Sequence, residues 1–347
     1  MGFQYINDEQ KIRIPLSRHA CAIINEDMRS FSVKKQSTFI NTVIEGFYDT
    51  AKSSLNTYLS RKKLELEELL SDLTLSASDV SIIVSHMIAK EKASTILILS
   101  EYLKEKYSTK LYHINDSNFD YLKYRCNEED FYNQKPGAYI KCLMEEYASL
   151  PFIKRERIFR KDVYEIVEYA CNMQQLLQVK VELYGKPQVF YVYPYKILPD
   201  PLNTQEYLAC YTRKPGDSAA KKVDASFSMA RLEKPTILKQ SAFLSKTDIS
   251  KIEEDLSRLS VSYLLGEIEE IRVKLSAAGK KAYQTRLHSR PDKDTALSTE
   301  NEYVFFCSQQ QAYNYFFSFG PEAEIISPTS LRNKMKQNYS LSYNNYK

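Results

Sequence analysis

The sequence has no tryptophan, only eight glycines in 347 residues, and no apolar run long enough to cross a membrane. The glycine shortage bears on chemistry first, because phosphate-cradling loops depend on closely spaced glycines. No GxxxxGK[ST] loop is present: "SAAGKKAY" lacks the first glycine and the hydroxyl, and neither GxGxxG nor HExxH occurs. The six cysteines (Cys21, Cys126, Cys142, Cys171, Cys210, Cys307) show no CxxC spacing, and His19, His86, His113 and His288 are equally dispersed. That scatter speaks against a zinc site, offers no evident base for a nucleophile, and fits reduced thiols in the cytoplasm. A non-enzymatic protein without metal or cofactor is expected. The start, "MGFQYINDEQKIRIP", has no signal-peptide core, and Ile6 stands where a myristoylation motif after Gly2 requires serine or threonine, so no membrane partner is expected.

Charge of one sign is also scarce. Lys and Arg number 48 against 44 Asp and Glu, a formal net charge of +4, so binding to nucleic acid would have to rest on local clusters. The chain is 43% hydrophobic and long enough for two or three folding units with real cores.

In "KIRIPLS", Lys11, Arg13 and Pro15 alternate with Ile12, Ile14 and Leu16, the period of a strand with cations on one face. Helical spacing follows in "RHACAIINEDMRSF" and "SVKKQSTFINTVIEGFYDTA", with Ser32 or Ser37 as candidate caps. A lone strand has nothing to pair with, which predicts a homodimer whose two strands form an antiparallel ribbon. The pattern over Lys11 to Thr50 resembles the ribbon-helix-helix repressors. That resemblance implies nucleic-acid contacts from Lys11, Arg13 and Arg18, and from the backbone amides near Lys34 and Lys35. Residues 50–107 read as helix, Asn118 to Gln134 as irregular, and "AYIKCLMEEYASL" as helix ending at Pro151.

Past Pro151, a basic run "KRERIFRK" precedes the helix "DVYEIVEYACNMQQLL" and about five short strands. The turns "YGKPQ" and "PDPLN" separate them, and Phe227, Met229 and Arg231 share the last short alternation. One helix and five strands predict a small β-barrel of the Sm or SH3 kind. The fold class is α+β, with expected boundaries 1–50 (ribbon-helix-helix), 51–155 (helical connector), 156–235 (barrel) and 236–347 (an α/β extension). The extension rests on the helix "TDISKIEEDLSRLSVSYLLG", then "EEIRVKLSA", "AGKKAYQTRL", "YVFFCS", "QQAYNYFFSFG" and "EAEIISP", alternately strand and helix.

The hairpin ending in "YVYPYKIL", the strand "EYLACYTR" within "NTQEYLACYTR", and "FSMARLEKP" resemble the WYL domain. Glu206, Tyr207 and Leu208 stand at its Trp-Tyr-Leu run, and Phe190 stands where the family carries an arginine of its basic pocket. The segment from about 160 to 347, closing on "FGPEAEIISPTSLRNKMKQ", matches that domain with its C-terminal extension. The whole arrangement is similar to the WYL-domain accessory proteins of type VI-D CRISPR systems. The resemblance implies binding of single-stranded RNA and modulation of an RNA-guided, RNA-cleaving effector.

Single-strand binding needs cations along a groove and aromatic faces for stacking. Tyr191, Tyr193, Tyr195, Tyr207 and Tyr211, among Lys196, Arg213, Lys214, Lys221, Lys222 and Arg231, supply both types. Tyr193, Tyr195, Lys196, Tyr207, Arg213 and Arg231 form the expected site. The bland alternative for any one tyrosine is half-buried core. Arg231, read as a strand residue at a family-matching position, is expected on phosphate. A second basic segment, Ile271 to Lys293, holds seven Lys or Arg against one Asp and reads as a solvated helix face or a further contact. The competing function is a transcription regulator, with duplex operator DNA on the ribbon and a ligand in the WYL pocket.

Overall fold

The computed structural model describes residues 10–347 except 129, 184–185, 201–203, 259–260, 262–267 and 288. His288, the Cys126 side chain, the tips of "YGKPQ" and "PDPLN", and the end of the "TDISKIEEDLSRLSVSYLLG" helix therefore lie outside the described residues. The chain divides into two compact units, 1–161 and 162–347.

In the first unit, strand β1 (Lys11–Leu16) exposes Lys11 and Arg13 and buries Ile12, Ile14 and Leu16, as its alternation requires. Ser17 caps α1 (Arg18–Ser30) by accepting from the Ala20 amide at 3.0 Å. Helix α2 (Gln36–Phe47) starts after Lys35 without a side-chain cap. Neither Ser32 nor Ser37 caps it; the Ser37 hydroxyl accepts from the His113 amide at 3.3 Å instead. Helices α3 (Leu55–Ser71) and α4 (Ala77–Lys104) form a hairpin, followed by β2 (Ser108–His113), α5 (Asp116–Glu128), α6 (Pro136–Ser149) and α7 (Phe152–Phe159). The stretch expected to be irregular after Asn118 is thus largely helical. Apolar residues of β1, α1, α2, β2 and α6 share one core.

Strand β1 is not alone. It pairs antiparallel with β2, from Lys11 against His113 to Leu16 against Ser108. Gln10 and Leu16 carbonyls accept from Ile114 and Tyr107 at 3.0 and 2.9 Å, which turns the even-numbered backbone groups toward β2 and the odd-numbered ones toward the other edge. On that edge Pro15 has no N–H to offer. Helix α6 also closes on it: a Cβ added to Gly137 would lie 2.5 Å from the Arg13 carbonyl oxygen. The expected ribbon shared by two copies is therefore corrected, because both edges of β1 are occupied within one chain.

Part of the basic run before the second unit is core. Arg155 of α7, 8% exposed, donates from Nε at 2.7 Å and from Nη2 at 3.1 Å to the fully buried Asp27 carboxylate of α1. The same carboxylate accepts from the Tyr147 hydroxyl of α6 at 2.7 Å, so one buried charge joins three helices.

The second unit opens with α8 (Lys161–Asn172) and five antiparallel strands: β3 (Gln175–Leu183), β4 (Lys186–Pro199), β5 (Glu206–Arg213), β6 (Val223–Ser228) and β7 (Glu233–Ser241). Their order is β6-β5-β4-β3-β7. The expected closed barrel is corrected: among the described residues β6 and β7 remain outer strands, and a 3₁₀ turn, Met229–Arg231, links them. Both faces of the sheet are nonetheless covered. Tyr164 and Val167 of α8 pack with Val179, Val192, Leu208 and Phe227 on one face. Ile249 and Ile252 of α9 (Lys246–Arg258) pack with Tyr193, Ala209 and Tyr211 on the other. A sheet buried between helical layers has no need to close on itself.

The extension comprises β8 (Ile268–Leu275), α10 (Ala277–Thr285), β9 (Lys293–Asp294), β10 (Glu302–Ser308), α11 (Gln309–Phe316), β11 (Ala323–Ser327) and α12 (Thr329–Asn344). Its four strands run in the order β11-β8-β10-β9, following the strand–helix alternation read from the sequence.

Asp27→Ala is expected to destabilise the first unit by about 3–5 kcal/mol, the usual cost of leaving a buried charge unpaired, here Arg155. Asp27→Leu with Arg155→Met should recover most of that loss in urea unfolding followed by circular dichroism. Equal loss in both variants would contradict the assignment.

Candidate nucleic-acid interface

The segment "EYLACYTR" is the strand β5, lying between β4 and β6; Asn203 of the longer stretch is outside the described residues. Tyr193 faces Tyr211 across the β4–β5 pair, Tyr191 faces Arg213, and Leu198 faces Tyr207. The register slips between Pro194 and Lys196, so Tyr195 is the extra residue of a bulge and Lys196 pairs with Ala209. Alternation then sends Leu208 and Cys210 to the α8 side and Tyr207, Ala209 and Tyr211 to the α9 side.

Helix α9 takes up most of the polar chemistry on that face. Lys222 Nζ lies 2.7 Å from the Asp248 carboxylate, and 5.5 and 5.2 Å from the ring centres of Tyr193 and Tyr211. Tyr211 donates its hydroxyl to the Asp248 carbonyl at 3.0 Å, and Tyr195 donates to the Glu253 carboxylate at 2.7 Å. Arg213 sits 4.8 Å over the Tyr191 ring, donating from Nε to the Tyr193 hydroxyl at 3.2 Å and from Nη1 to the Asp217 carbonyl at 2.7 Å. Lys251 pairs with Asp224 at 3.2 Å.

The titration behaviour follows from these contacts. Burial pushes the Tyr211 hydroxyl up to about 12. The hydrogen bond to Glu253, with some burial, raises Tyr195. Burial works to raise the Asp248 carboxyl, but donation from Lys222 and Ser245 outweighs it and holds the group below the ordinary aspartate value.

The expected site residues thus fall into separate places. Tyr193 and Arg213 come together, joined by Tyr191 and Lys222. Tyr195 is engaged by α9. Tyr207, half-buried with its hydroxyl on Gln205 at 3.0 Å, lies toward the opposite end of β5, on the order of 20 Å from Arg213. Arg231 is in the 3₁₀ turn rather than on a strand, which corrects that expectation; it is exposed and makes no hydrogen bond or ion pair with the described residues. Lys196 is exposed. In the first unit, Lys11 and Arg13 stand opposite His113 and Leu111 on the solvent face, and Arg18 lies 5.1 Å over the Tyr107 ring. Gly279 of "SAAGKKAY" serves packing, since a Cβ there would meet the Glu322 carbonyl oxygen at 2.3 Å.

Sequence reasoning did not single out Arg286, Arg290 and Lys293 within the second basic segment. Each lies over an aromatic ring, at 5.0, 5.2 and 4.4 Å from the centroid. The available signal was the aromatic density of "YVFFCS" and "YNYFFSF" just downstream.

Because the folded Asp248 binds its proton less tightly than the unfolded chain does, its contribution to stability is present above the ordinary aspartate range and lost as pH falls through the lowered value. The urea midpoint of Asp248→Asn should lie below that of the wild type at neutral pH, and the two should converge below roughly pH 3. A pH-independent gap would contradict the Lys222 pairing.

No family model matches the chain, and no curated protein does. Among solved structures, a CRISPR Cas-related protein superposes with a TM-score of 0.69 at 21% identity, covering 99% of this chain and 95% of that one. Proteasome accessory factor B/C of Arthrobacter aurescens reaches a TM-score of 0.29 at 11% identity over 67% of this chain and 38% of its own, too little to bear on the fold. Across nearly its whole length, this chain shares the fold of a CRISPR Cas-related protein.

Proposed function

We propose that this chain is a non-enzymatic accessory protein of an RNA-targeting CRISPR system, binding single-stranded RNA and modulating the RNA-guided effector. The observation that carries the reading is the end-to-end fold correspondence with a CRISPR Cas-related protein. In this reading α8 and β3–β7 form a WYL domain. A cysteine nucleophile finds no support at three of the thiols: burial pushes Cys142, Cys171 and Cys307 up to about 12, far from a thiolate at neutral pH. The regulator alternative has less support, since it needs a β1 edge open to a second copy, and Gly137 of α6 meets the Arg13 carbonyl there.

A homodimer remains part of the proposal, on a different surface. Helix α4 exposes Ile82 and Ile83 near one end and Leu97 and Ile98 near the other, with Ala89, Lys90 and Ala93 between. Leu97, like Leu69 of α3, is 69% exposed. This near-palindromic stripe suits antiparallel packing of α4 on a second α4 about a two-fold axis.

In fluorescence anisotropy at near-physiological salt, single-stranded RNA is expected to bind at least tenfold tighter than duplex DNA of equal length. Preference for the duplex would move the reading to the regulator. In light scattering, the wild type is expected at dimer mass, and Ile83→Asp with Leu97→Asp at monomer mass with unchanged circular dichroism. A monomeric wild type would remove the dimer.

A further inference from the structure

Around the five-stranded sheet Lys222, Lys251 and Arg213 are engaged within the fold and Lys196 and Arg231 stand exposed and dispersed, whereas three cations of the extension are mounted on rings. The rings of Tyr303, Tyr283, Tyr315 and Phe319 follow one another at centroid separations of 5.7, 6.1 and 5.2 Å, drawn from β10, α10, α11 and the turn after α11. Over three of these four rings lies a cation: Lys293 on Tyr303, Arg290 on Tyr283 and Arg286 on Phe319. None of the three pairs with a carboxylate among the described residues. The backbone that carries them is fixed to the same rings. Tyr315 donates its hydroxyl to the Arg286 carbonyl at 2.8 Å, and Tyr283 donates to the Pro291 carbonyl at 2.9 Å. Arg286 also donates from Nη1 to the Ser318 hydroxyl at 2.9 Å and carbonyl at 3.1 Å, and Arg290 donates from Nη1 to the Tyr283 carbonyl at 3.4 Å.

We propose that this ring-mounted row, Arg286, Arg290 and Lys293, is the binding surface for single-stranded RNA. The assignment rests on the RNA-binding reading above and gives it a place. A cation held over a ring face loses little further side-chain entropy on binding, and a guanidinium so held, with Nη1 on a protein oxygen, keeps its other N–H groups for a phosphate. Three such groups, one or two ring steps apart, match a backbone carrying one charge per nucleotide. Among the described residues the row follows α10, with Lys293 in the two-residue edge strand β9, and no helix carries it into a major groove, which favours a single strand over a duplex.

The test is anisotropy with labelled single-stranded RNA and duplex DNA of equal length across a salt series, using the full chain, the triple variant Arg286→Gln/Arg290→Gln/Lys293→Gln, and Lys63→Gln as a charge control on α3. The triple variant is expected to bind at least tenfold more weakly, with the slope of log affinity against log salt reduced by about 2, near 0.7 per lost cation. Lys63→Gln should match the wild type. Tyr303→Leu, which keeps every charge but removes the ring under Lys293, should bind severalfold more weakly with its thermal transition intact. RNA binding by the wild type that survives the triple substitution would overturn this site and leave the RNA reading standing. A wild type that binds no RNA would overturn both, and a parallel loss of duplex binding equal to that of RNA would overturn the single-strand assignment.

Discussion

The carboxylate of Asp248 decides what the five-stranded sheet can do. It accepts from Lys222 on the loop entering β6 and from Ser245 just before α9, while the carbonyl of the same residue accepts from Tyr211 of β5. One residue thus clamps the start of α9 onto the face where Tyr193 and Tyr211 lie. Once α9 is seated, those tyrosines are core: Tyr193 is 7% and Tyr211 3% exposed. The WYL-like alternation of aromatic residues along β4 and β5 is satisfied by packing, and stacking on bases is not needed to account for it.

The same logic sorts the cations. Lys222 and Lys251 have carboxylate partners, so recruiting either to a phosphate means breaking an ion pair already made. Arg286, Arg290 and Lys293 rest on rings, and the two arginines also donate to neutral oxygens of Ser318 and Tyr283, contacts that orient a cation without neutralising it; Arg213 over Tyr191 is held in the same way. With a net charge of only +4, the distinction matters more than the total.

Much of the architecture was legible along the chain because it is written in local periods. The cation–aliphatic alternation of β1, the helical spacing of α1 and α2, the opposed faces of β5, and the strand–helix order of the extension all follow from neighbouring residues. What escaped depends on distant partners. β2, "STKLYH", exposes Leu111 and buries little beyond Tyr112, so nothing in its six residues announces a strand or that it completes β1. Likewise, Lys222 looks like a groove cation until α9 brings Asp248 to it. The basic segment 271–293 was visible as charge, but its rings come from β10, α11 and beyond, and only the fold assembles them into a row.

The most direct measurement is photo-crosslinking of single-stranded RNA carrying 4-thiouridine to the full chain, with the linked peptides mapped by mass spectrometry. The account predicts crosslinks in the peptides spanning 280–303 and few in those spanning 191–213, where α9 covers the tyrosines. Crosslinks concentrated on 191–213 would contradict it and return the RNA to the face of the five-stranded sheet.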